Sequence, residues 1–152
     1  MSSSPTPEAP ARVLLVEDSE NDALLATFAF ERCGHPVALE HAWNGEECLS
    51  LLERGAAQAN CSLPDLMLLD LNMPRMDGFE VLRRIKGDDV YRSMPVVVLS
   101  TSGAAADIQL AYALHCNSYV IKPLNYSQFS AAVHDLAHYW FSLIARPRCP
   151  AA

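Results

Sequence analysis

The sequence lacks the features that mark several common functional classes. No GxxxxGK[ST] or GxGxxG loop is present, so nucleotide binding has no motif to support it. Lysine and arginine form no cluster, and the formal net charge of −7 argues against a nucleic-acid surface. No apolar stretch is long enough to cross a bilayer, and no signal peptide precedes the first predicted strand. We therefore expect a cytoplasmic protein that contacts neither nucleic acid nor membrane.

Metal-binding patterns built on cysteine and histidine are also missing. The five cysteines are scattered and form no CxxC pair, which predicts reduced thiols rather than a zinc site or a disulfide framework. His134 and His138 are four residues apart, but no HExxH motif accompanies them, and we interpret them as part of a solvated helix face. What the sequence does have is a hydrophobic content of 51%, enough for a core. Its 152 residues predict one domain.

The stretch from residue 65 to residue 78 has the clearest organisation. A short apolar run, Leu66–Leu69, ends at Asp70, and Pro74 and the Asp77-Gly78 pair then turn the chain. Such a run predicts a strand that is buried on both faces. In open α/β sheets, ligands bind outside the carboxyl ends of the strands, which is where Asp70 would lie. The alternative is that Asp70 only caps a turn.

Three other strand-like runs also end in polar residues. The polar residues at these ends are Glu17 and Asp18 after the first strand, Ser100 after the fourth, and Lys122 with Pro123 after the fifth. Strands and helices alternate five times along the chain, which predicts a parallel sheet with helices on both faces. One edge of such a sheet would collect three carboxylates, a hydroxyl and a lysine.

With these residues in view, the sequence resembles the receiver domains of response regulators in two-component signalling. That family has an acidic pair after strand one, an aspartate after strand three, Thr or Ser after strand four and Lys-Pro after strand five. The intervals of 30 residues from Asp70 to Ser100 and of 22 residues from Ser100 to Lys122 are similar to those of the family. The resemblance implies a CheY-like, flavodoxin-like α/β fold, doubly wound, with five parallel strands in the order 2-1-3-4-5.

The resemblance covers residues 12–144 and sets our expectations for the chain as a whole. We expect a disordered tail at residues 1–10, a single receiver domain at residues 11–145, a C-terminal tail at residues 146–152 and no output domain. The loop at residues 56–64 is longer than the fold requires, and we interpret it as an insertion without chemistry. A long final helix should run from Tyr126 to about Ile144. Its predicted core stripe consists of Phe129, Val133, Leu136, Trp140 and Leu143.

The chemistry of these side chains fits phosphoryl transfer. A carboxylate can become an acyl phosphate, and Mg²⁺ takes oxygen ligands, among them one or two carboxylates. The resemblance implies Asp70 as the phosphoacceptor, with Ser100 and Lys122 as its catalytic partners. The expected Mg²⁺ ligands are Glu17, Asp18, Asp70 and the backbone carbonyl of Asn72, with Glu17 acting through a water. Ser100 and Tyr119 would form the switch, and the bond before Pro123 would be cis. The alternatives are helix capping for the acidic pair, a surface lysine and a packed strand tyrosine.

A narrower resemblance is to the stand-alone receivers that serve bacterial and cyanobacterial phytochrome histidine kinases. It rests on residues 16–19 with Asp22, residues 68–78, residues 95–102 and the aromatic triplet at residues 139–141. It implies a phytochrome kinase as the partner. Apolar side chains beyond those needed for the core favour a homodimer through the fourth helix, the fifth strand and the last helix. These surplus residues are Leu110, Leu114, Tyr139 and Phe141.

Two other interpretations compete with a phosphorylated receiver. One is a receiver-like scaffold that never takes phosphate, and the other is a phosphatase of the haloacid dehalogenase type. Such phosphatases carry a second acid two residues after the nucleophile, where this chain has Asn72, and their acidic pair comes last rather than first. We therefore expect a chain that catalyses only its own phosphorylation and dephosphorylation.

Overall fold

Strands and helices alternate along the chain as predicted. The structure is a computed structural model that describes residues 9–59 and 61–147. The strands are β1 (Ala11–Val16), β2 (Val37–Ala42), β3 (Leu66–Leu69), β4 (Val96–Ser100) and β5 (Ser118–Ile121). The helices are α1 (Glu20–Glu31), α2 (Gly45–Ala56), α3 (Gly78–Lys86), α4 (Ala105–Ala113) and α5 (Tyr126–His138). The predicted tails lie largely outside the described residues, at 1–8 and 148–152.

All five strands are parallel, in the predicted order β2-β1-β3-β4-β5. Every residue of β3 and β4 is buried, because helices cover both faces of the sheet. One core cluster lies between the sheet and α2, α3 and α4, and the other lies between the sheet and α1 and α5. This arrangement brings the carboxyl ends of β1, β3 and β4 to one edge, where the polar residues follow.

Four of the five α-helices begin at polar side chains that cap their first turns, and α4 follows Ala104 without a side-chain cap. Ser19, Asn44, Asp77 and Asn125 each accept a hydrogen bond from a backbone amide three residues later. Such caps each stabilise a helix by about 1 kcal/mol. At the start of α3, a Cβ on Gly78 would lie 2.4 Å from the backbone oxygen of Asp70. Glycine therefore lets α3 begin directly against the loop that carries Asp70.

The final helix departs from the prediction in its last turn. α5 ends at His138 and continues as a π-helical turn, Tyr139–Leu143. Of the predicted stripe, Leu143 is wrong because it is 64% exposed. A π turn holds more residues than an α turn, so the phase of the buried face shifts. Ile144 packs on the core beside the buried Trp140 instead.

The loop at residues 56–64 packs at the opposite end of β1 from the acidic residues. The Arg12 guanidinium donates hydrogen bonds to the Ser62 hydroxyl and the Leu63 carbonyl. Cys61 in this loop forms a disulfide bond, so the prediction of reduced thiols is wrong for this residue, because sequence spacing alone does not show which cysteines lie close together in the fold. The other described cysteines, which are Cys33, Cys48 and Cys116, are buried free thiols as expected.

Lys86, the last residue of α3, connects that helix by hydrogen bonds to two neighbouring loops. Its ammonium group donates to the backbone oxygens of Arg92 and Met94, at 3.0 and 2.9 Å, and to Asn117 Oδ1 at 3.0 Å. Burial lowers the pKa of Lys86, but the three oxygens stabilise its charged form.

Across residues 9–59 and 61–147, none of the helices has the length and apolar composition that crossing a membrane requires.

Candidate functional site

The predicted acidic residues meet at the carboxyl edge of the sheet. Glu17 and Asp18 directly follow β1, and Asp70 directly follows β3. One carboxylate oxygen from each of the three lies within 4.8 Å of the others. Glu17 is 3% exposed and Asp70 is 5% exposed, whereas the Asp18 side chain is open to solvent. Two of the three acids are therefore held in a poorly solvated environment.

This environment changes the proton affinities of the buried acids. Burial raises the pKa of Glu17 to about 7, against the opposing hydrogen bond and charge of Lys122. Burial also raises the pKa of Asp70, again against the attraction of Lys122. Desolvation penalises the charged form of a carboxyl group, and neighbouring carboxylates add repulsion. The cluster therefore lacks compensating positive charge, even though Lys122 lies beside it.

Lys122 joins the acidic residues to the first helix. Its Nζ donates to Glu17 Oε2 at 2.8 Å and to Asp22 Oδ2 at 3.0 Å. The side chain is only 11% exposed. Although burial alone would lower the pKa of Lys122, the hydrogen bond and charge of Glu17 outweigh it and raise that pKa. The pairing with Asp22 was not predicted, because the sequence showed Asp22 only as an acidic residue in the first turn of α1.

The predicted cis bond before Pro123 is wrong. No peptide bond in the described part of the chain is cis. The trans form of a bond before proline is favoured by roughly 0.5–1 kcal/mol, so cis needs a local constraint to stabilise it. Here Lys122 is already held by its ion pairs and by a hydrogen bond of 2.7 Å from its backbone amide to the Ser100 carbonyl.

Ser100 and Tyr119 are connected through a residue that the sequence did not single out. Ser100 is fully buried at the end of β4, and its hydroxyl accepts a hydrogen bond from the Ser102 amide at 3.1 Å. The Tyr119 hydroxyl donates to the Ser102 carbonyl at 2.8 Å. The Ser102 hydroxyl donates to Asp107 in the first turn of α4 at 2.6 Å. Ser102 thus links the Ser100 hydroxyl, the half-buried Tyr119 and α4.

Asn72 lies where the loop after β3 turns away from the sheet. Its backbone amide donates to Asp70 Oδ1 at 3.3 Å and so helps to orient that carboxylate. The role of its carbonyl as a metal ligand stays a prediction.

His134 and His138 belong to no group of three metal-ligating side chains among residues 9–59 and 61–147. Glu17, Asp18 and Asp70 are the one such group in that part of the chain.

The donor set fits a divalent cation. Carboxylate oxygens are the ligands that Mg²⁺ and Mn²⁺ prefer, and a cation at this place would offset the burial of Glu17 and Asp70. Asp18 provides an open side from which solvent or a phosphoryl group can approach. The residues therefore fit a divalent-metal site beside a lysine.

Comparisons with known proteins agree with this geometry. The sequence model of the response regulator receiver domain family matches residues 13–134. The chain is 41% identical over 133 residues to the probable methanogenesis regulatory protein FilR2 of Methanothrix harundinacea, covering 88% of this chain and 85% of that protein. It is 33% identical over 138 residues to the response regulator Rcp1 of Synechocystis, covering 91% and 94%.

Solved structures are also similar. The crystal structure of the phosphorylated cyanobacterial phytochrome response regulator RcpA superposes with a TM-score of 0.84 at 39% identity, covering 92% of this chain and all of that chain. The Mn²⁺-bound form of Rcp1 superposes with a TM-score of 0.82 at 33% identity, covering 91% of this chain and all of that chain. The fold therefore has structural counterparts, and one of them is a Mn²⁺-bound form.

Proposed function

The chain belongs to the response-regulator receiver family, and from that premise we propose that it accepts a phosphoryl group on Asp70 from a histidine kinase. The observation that carries the proposal is the environment of Asp70. Its carboxylate is 5% exposed, lies with Glu17 and Asp18, and is attracted by the charge of Lys122. Neither the scaffold nor the phosphatase alternative is favoured by the comparisons.

In the proposed reaction, an Asp70 oxygen forms a bond to phosphorus while the bond from phosphorus to the donor's histidine nitrogen breaks. Phosphoryl transfer depends mainly on positioning and charge neutralisation. Mg²⁺, held by Glu17, Asp18, Asp70 and the Asn72 carbonyl, supplies positive charge for the phosphoryl oxygens when bound. The Asn72 amide orients Asp70, and Lys122 exchanges its contacts with Glu17 and Asp22 for a phosphoryl oxygen.

The proposed switch begins at Ser100. A hydrogen bond from its hydroxyl to a phosphoryl oxygen draws Ser100 toward Asp70 and disturbs its bond with the Ser102 amide. Because the Ser102 carbonyl accepts from Tyr119, that movement reaches the tyrosine and, through Asp107, the start of α4. The charge on the phosphoryl group thus biases a surface formed by α4 and β5.

Phosphorylation in vitro tests the proposed reaction. Wild type incubated with Mg²⁺ and acetyl phosphate is expected to gain one phosphoryl group that alkali removes, as measured by intact mass. Asp70→Asn should gain none. Asp89→Asn removes an exposed carboxylate outside the site and should react like wild type. Labelling of Asp70→Asn would contradict the proposal.

We propose a phytochrome histidine kinase as the phosphoryl donor, and the similarity to RcpA supports this choice. Leu124, two residues after Lys122, is exposed, and so are Leu24 and Phe28 on α1, the helix that begins after Asp18. A kinase docked there would bring its phosphohistidine toward Asp70. Leu124→Glu should slow transfer from a phosphorylated bacteriophytochrome kinase but not from acetyl phosphate. Val90→Glu, at an exposed apolar residue before β4, is the matched control.

The kinase assay also tests the scaffold alternative. A wild-type chain that binds Mg²⁺ but takes phosphate from neither donor would be a non-phosphorylated scaffold. We further propose that the chain turns over no external phosphate ester. Release of phosphate from a small aryl phosphate at many turnovers per chain, abolished by Asp70→Asn, would contradict that statement.

We propose a homodimer through α4, β5 and α5, on a smaller apolar surface than expected. Leu114 and Phe141 pack against the two core clusters, and the Arg146 guanidinium lies 5.5 Å from the Phe141 ring centroid. Leu110 and Tyr139 remain exposed, as does Ile121 at the end of β5. Exposed apolar groups of this kind mark interaction surfaces when they lie together.

Sedimentation measures the oligomeric state directly. Wild type should sediment as a dimer at micromolar concentration, with or without phosphorylation. Ile121→Glu places a charge on the proposed interface and should give a monomer, whereas Val90→Glu should leave the dimer intact. A wild-type monomer in both phosphorylation states would rule out the dimer.

A further inference from the structure

His41 holds the backbone of the acidic site from the neighbouring strand. Its Nε2 lies 2.7 Å from the carbonyl oxygen of Glu17. A carbonyl oxygen can only accept a hydrogen bond, so Nε2 carries the hydrogen and donates it. The reaction proposed above assigns no task to this contact, and no sequence pattern indicated it.

The contact lies where β1 and β2 stop pairing. Val16 and Ala42 are the last paired residues of the two strands, and the Glu17 amide then donates to the Ala42 carbonyl at 3.1 Å. Beyond Ala42 the chain leaves the sheet to begin α2, which is capped by Asn44. At this point the His41 side chain provides the hydrogen bond for the Glu17 carbonyl. The strand β2 therefore holds Glu17 by both its amide and its carbonyl.

The Glu17 carbonyl belongs to the peptide unit that joins Glu17 to Asp18. Because that unit is planar, fixing its oxygen also fixes the direction in which the Asp18 Cα leaves it. The Glu17 side chain has further restraints, since it is buried and bonded to Lys122 and to the Ser19 amide. The Asp18 side chain is exposed, so its approach to Asp70 depends more on the backbone that carries it.

The imidazole is itself held in place by an aromatic neighbour. The ring centroids of His41 and Trp43 are 4.0 Å apart, with an angle of 50° between the rings. The indole is 43% exposed and packs against the imidazole. His41 is half-buried between this ring and the end of β1. Its donor is thus aimed at one acceptor.

We infer that His41 is a positioning residue for the metal site, acting by orienting the peptide between Glu17 and Asp18 so that the Asp18 carboxylate joins those of Glu17 and Asp70. This inference rests on the proposed function, because that function requires a divalent ion at these three carboxylates. Residues that orient metal ligands from outside the coordination sphere commonly set the affinity of the site.

Two substitutions separate the hydrogen bond from the bulk of the side chain. In His41→Gln, the amide nitrogen is as many bonds from Cβ as Nε2 and keeps the donor in reach of the Glu17 carbonyl. In His41→Asn, the amide takes the place of Nδ1 and cannot reach it. Calorimetric titration of the full chain with Mg²⁺ and with Mn²⁺ measures the metal affinity of each variant. His41→Asn should bind the ions about tenfold more weakly than wild type, which is at the lower end of the effect for residues that orient metal ligands. His41→Gln should lose no more than about threefold in affinity.

Equal metal affinities for the two variants, whether both unchanged or both weakened, would overturn the inference. Should His41→Asn fail to fold, wild type still provides a test. Long-range ¹H–¹⁵N spectra of the imidazole should show the hydrogen on Nε2, and a ring protonated on Nδ1 alone would overturn the inference. If wild type binds neither ion, the proposed function fails instead, so the two failures are distinguishable.

Discussion

Replacing Glu17 by glutamine in the metal-free protein tests the electrostatic account of the site. Burial raises the pKa of Glu17 from its ordinary value of 4.5 to about 7. Between these two pH values, Glu17 is protonated in the folded protein and ionised in the unfolded chain. The folded state therefore binds more protons than the unfolded state, and the free energy of unfolding falls as the pH rises through this window.

The size of the effect follows from the two pKa values. Each pKa unit corresponds to about 1.4 kcal/mol, so the change from 4.5 to about 7 amounts to on the order of 3 kcal/mol. Glutamine is neutral beside Lys122, as the protonated Glu17 of the folded protein is within this window. The charge of Lys122 does not change over the window, because its pKa is raised. The difference in pH dependence between wild type and Glu17→Gln therefore reports the ionisation of Glu17, including its effect on the neighbouring Asp70.

Urea unfolding in EDTA at pH 4.5 and pH 8 measures the difference. Wild type should lose on the order of 3 kcal/mol relative to Glu17→Gln between the two conditions. Glu31→Gln, at an exposed residue of α1, is the control for a change of net charge. Adding Mg²⁺ should stabilise wild type more at pH 8 than at pH 4.5, because the ion binds the deprotonated carboxylates. A stability difference between wild type and Glu17→Gln that does not vary with pH would refute the reasoning.

Three further substitutions test the packing, two around the site and one at the opposite edge of the sheet, and urea unfolding measures each of them. Gly78→Ala should cost about 3 kcal/mol, because its Cβ would lie 2.4 Å from a backbone oxygen, whereas Gly103→Ala meets only a side chain at 3.4 Å and should be nearly neutral. Lys86→Met, at the opposite edge, should cost about 2–3 kcal/mol, because two backbone oxygens lose the ammonium donor and Asn117 Oδ1 keeps only the Val96 amide; an unchanged stability would show that water replaces the ammonium group. Tyr119→Phe should cost about 1 kcal/mol through the lost bond to Ser102, and a neutral result would remove the proposed link to the switch.

The fold was predictable because its signals are local and repeated. The apolar runs at β1, β3 and β4 are buried on both faces, as their composition indicated. The π turn after α5 was not predictable, since the same apolar spacing fits an α-helix and only packing at the end of the core selects the wider turn. Leu143 was misplaced for this reason, and the half-buried Ile144 packs against the core instead.

Parallel topology alone predicted which residues share the edge of the sheet, but it did not predict their partners. Glu17, Asp18 and Asp70 come together because their strands are neighbours. The choice of Lys122 between nearby acids depends on side-chain packing, and its partner Asp22 is 100 residues away in the chain. The Ser102 carbonyl accepts a hydrogen bond from Tyr119, and His41 donates one to the Glu17 carbonyl. Because every residue has a backbone carbonyl, no pattern of residue types identifies these two contacts.

The charges of the site explain why the Lys122 ammonium group bonds to both Glu17 and Asp22 rather than pairing with Asp70 alone. Three carboxylates and one ammonium group leave the cluster negative, and a divalent cation brings it close to neutral. The proposed phosphorylation of Asp70 would replace a single negative charge with nearly two, in a place where poor solvation strengthens electrostatic interactions. The added charge would compete with Glu17 and Asp22 for the ammonium group and would accept a hydrogen bond from the Ser100 hydroxyl, drawing its oxygen away from the Ser102 amide. The same burial that disfavours an ionised Glu17 in the metal-free protein thus makes the site respond strongly to one phosphoryl group.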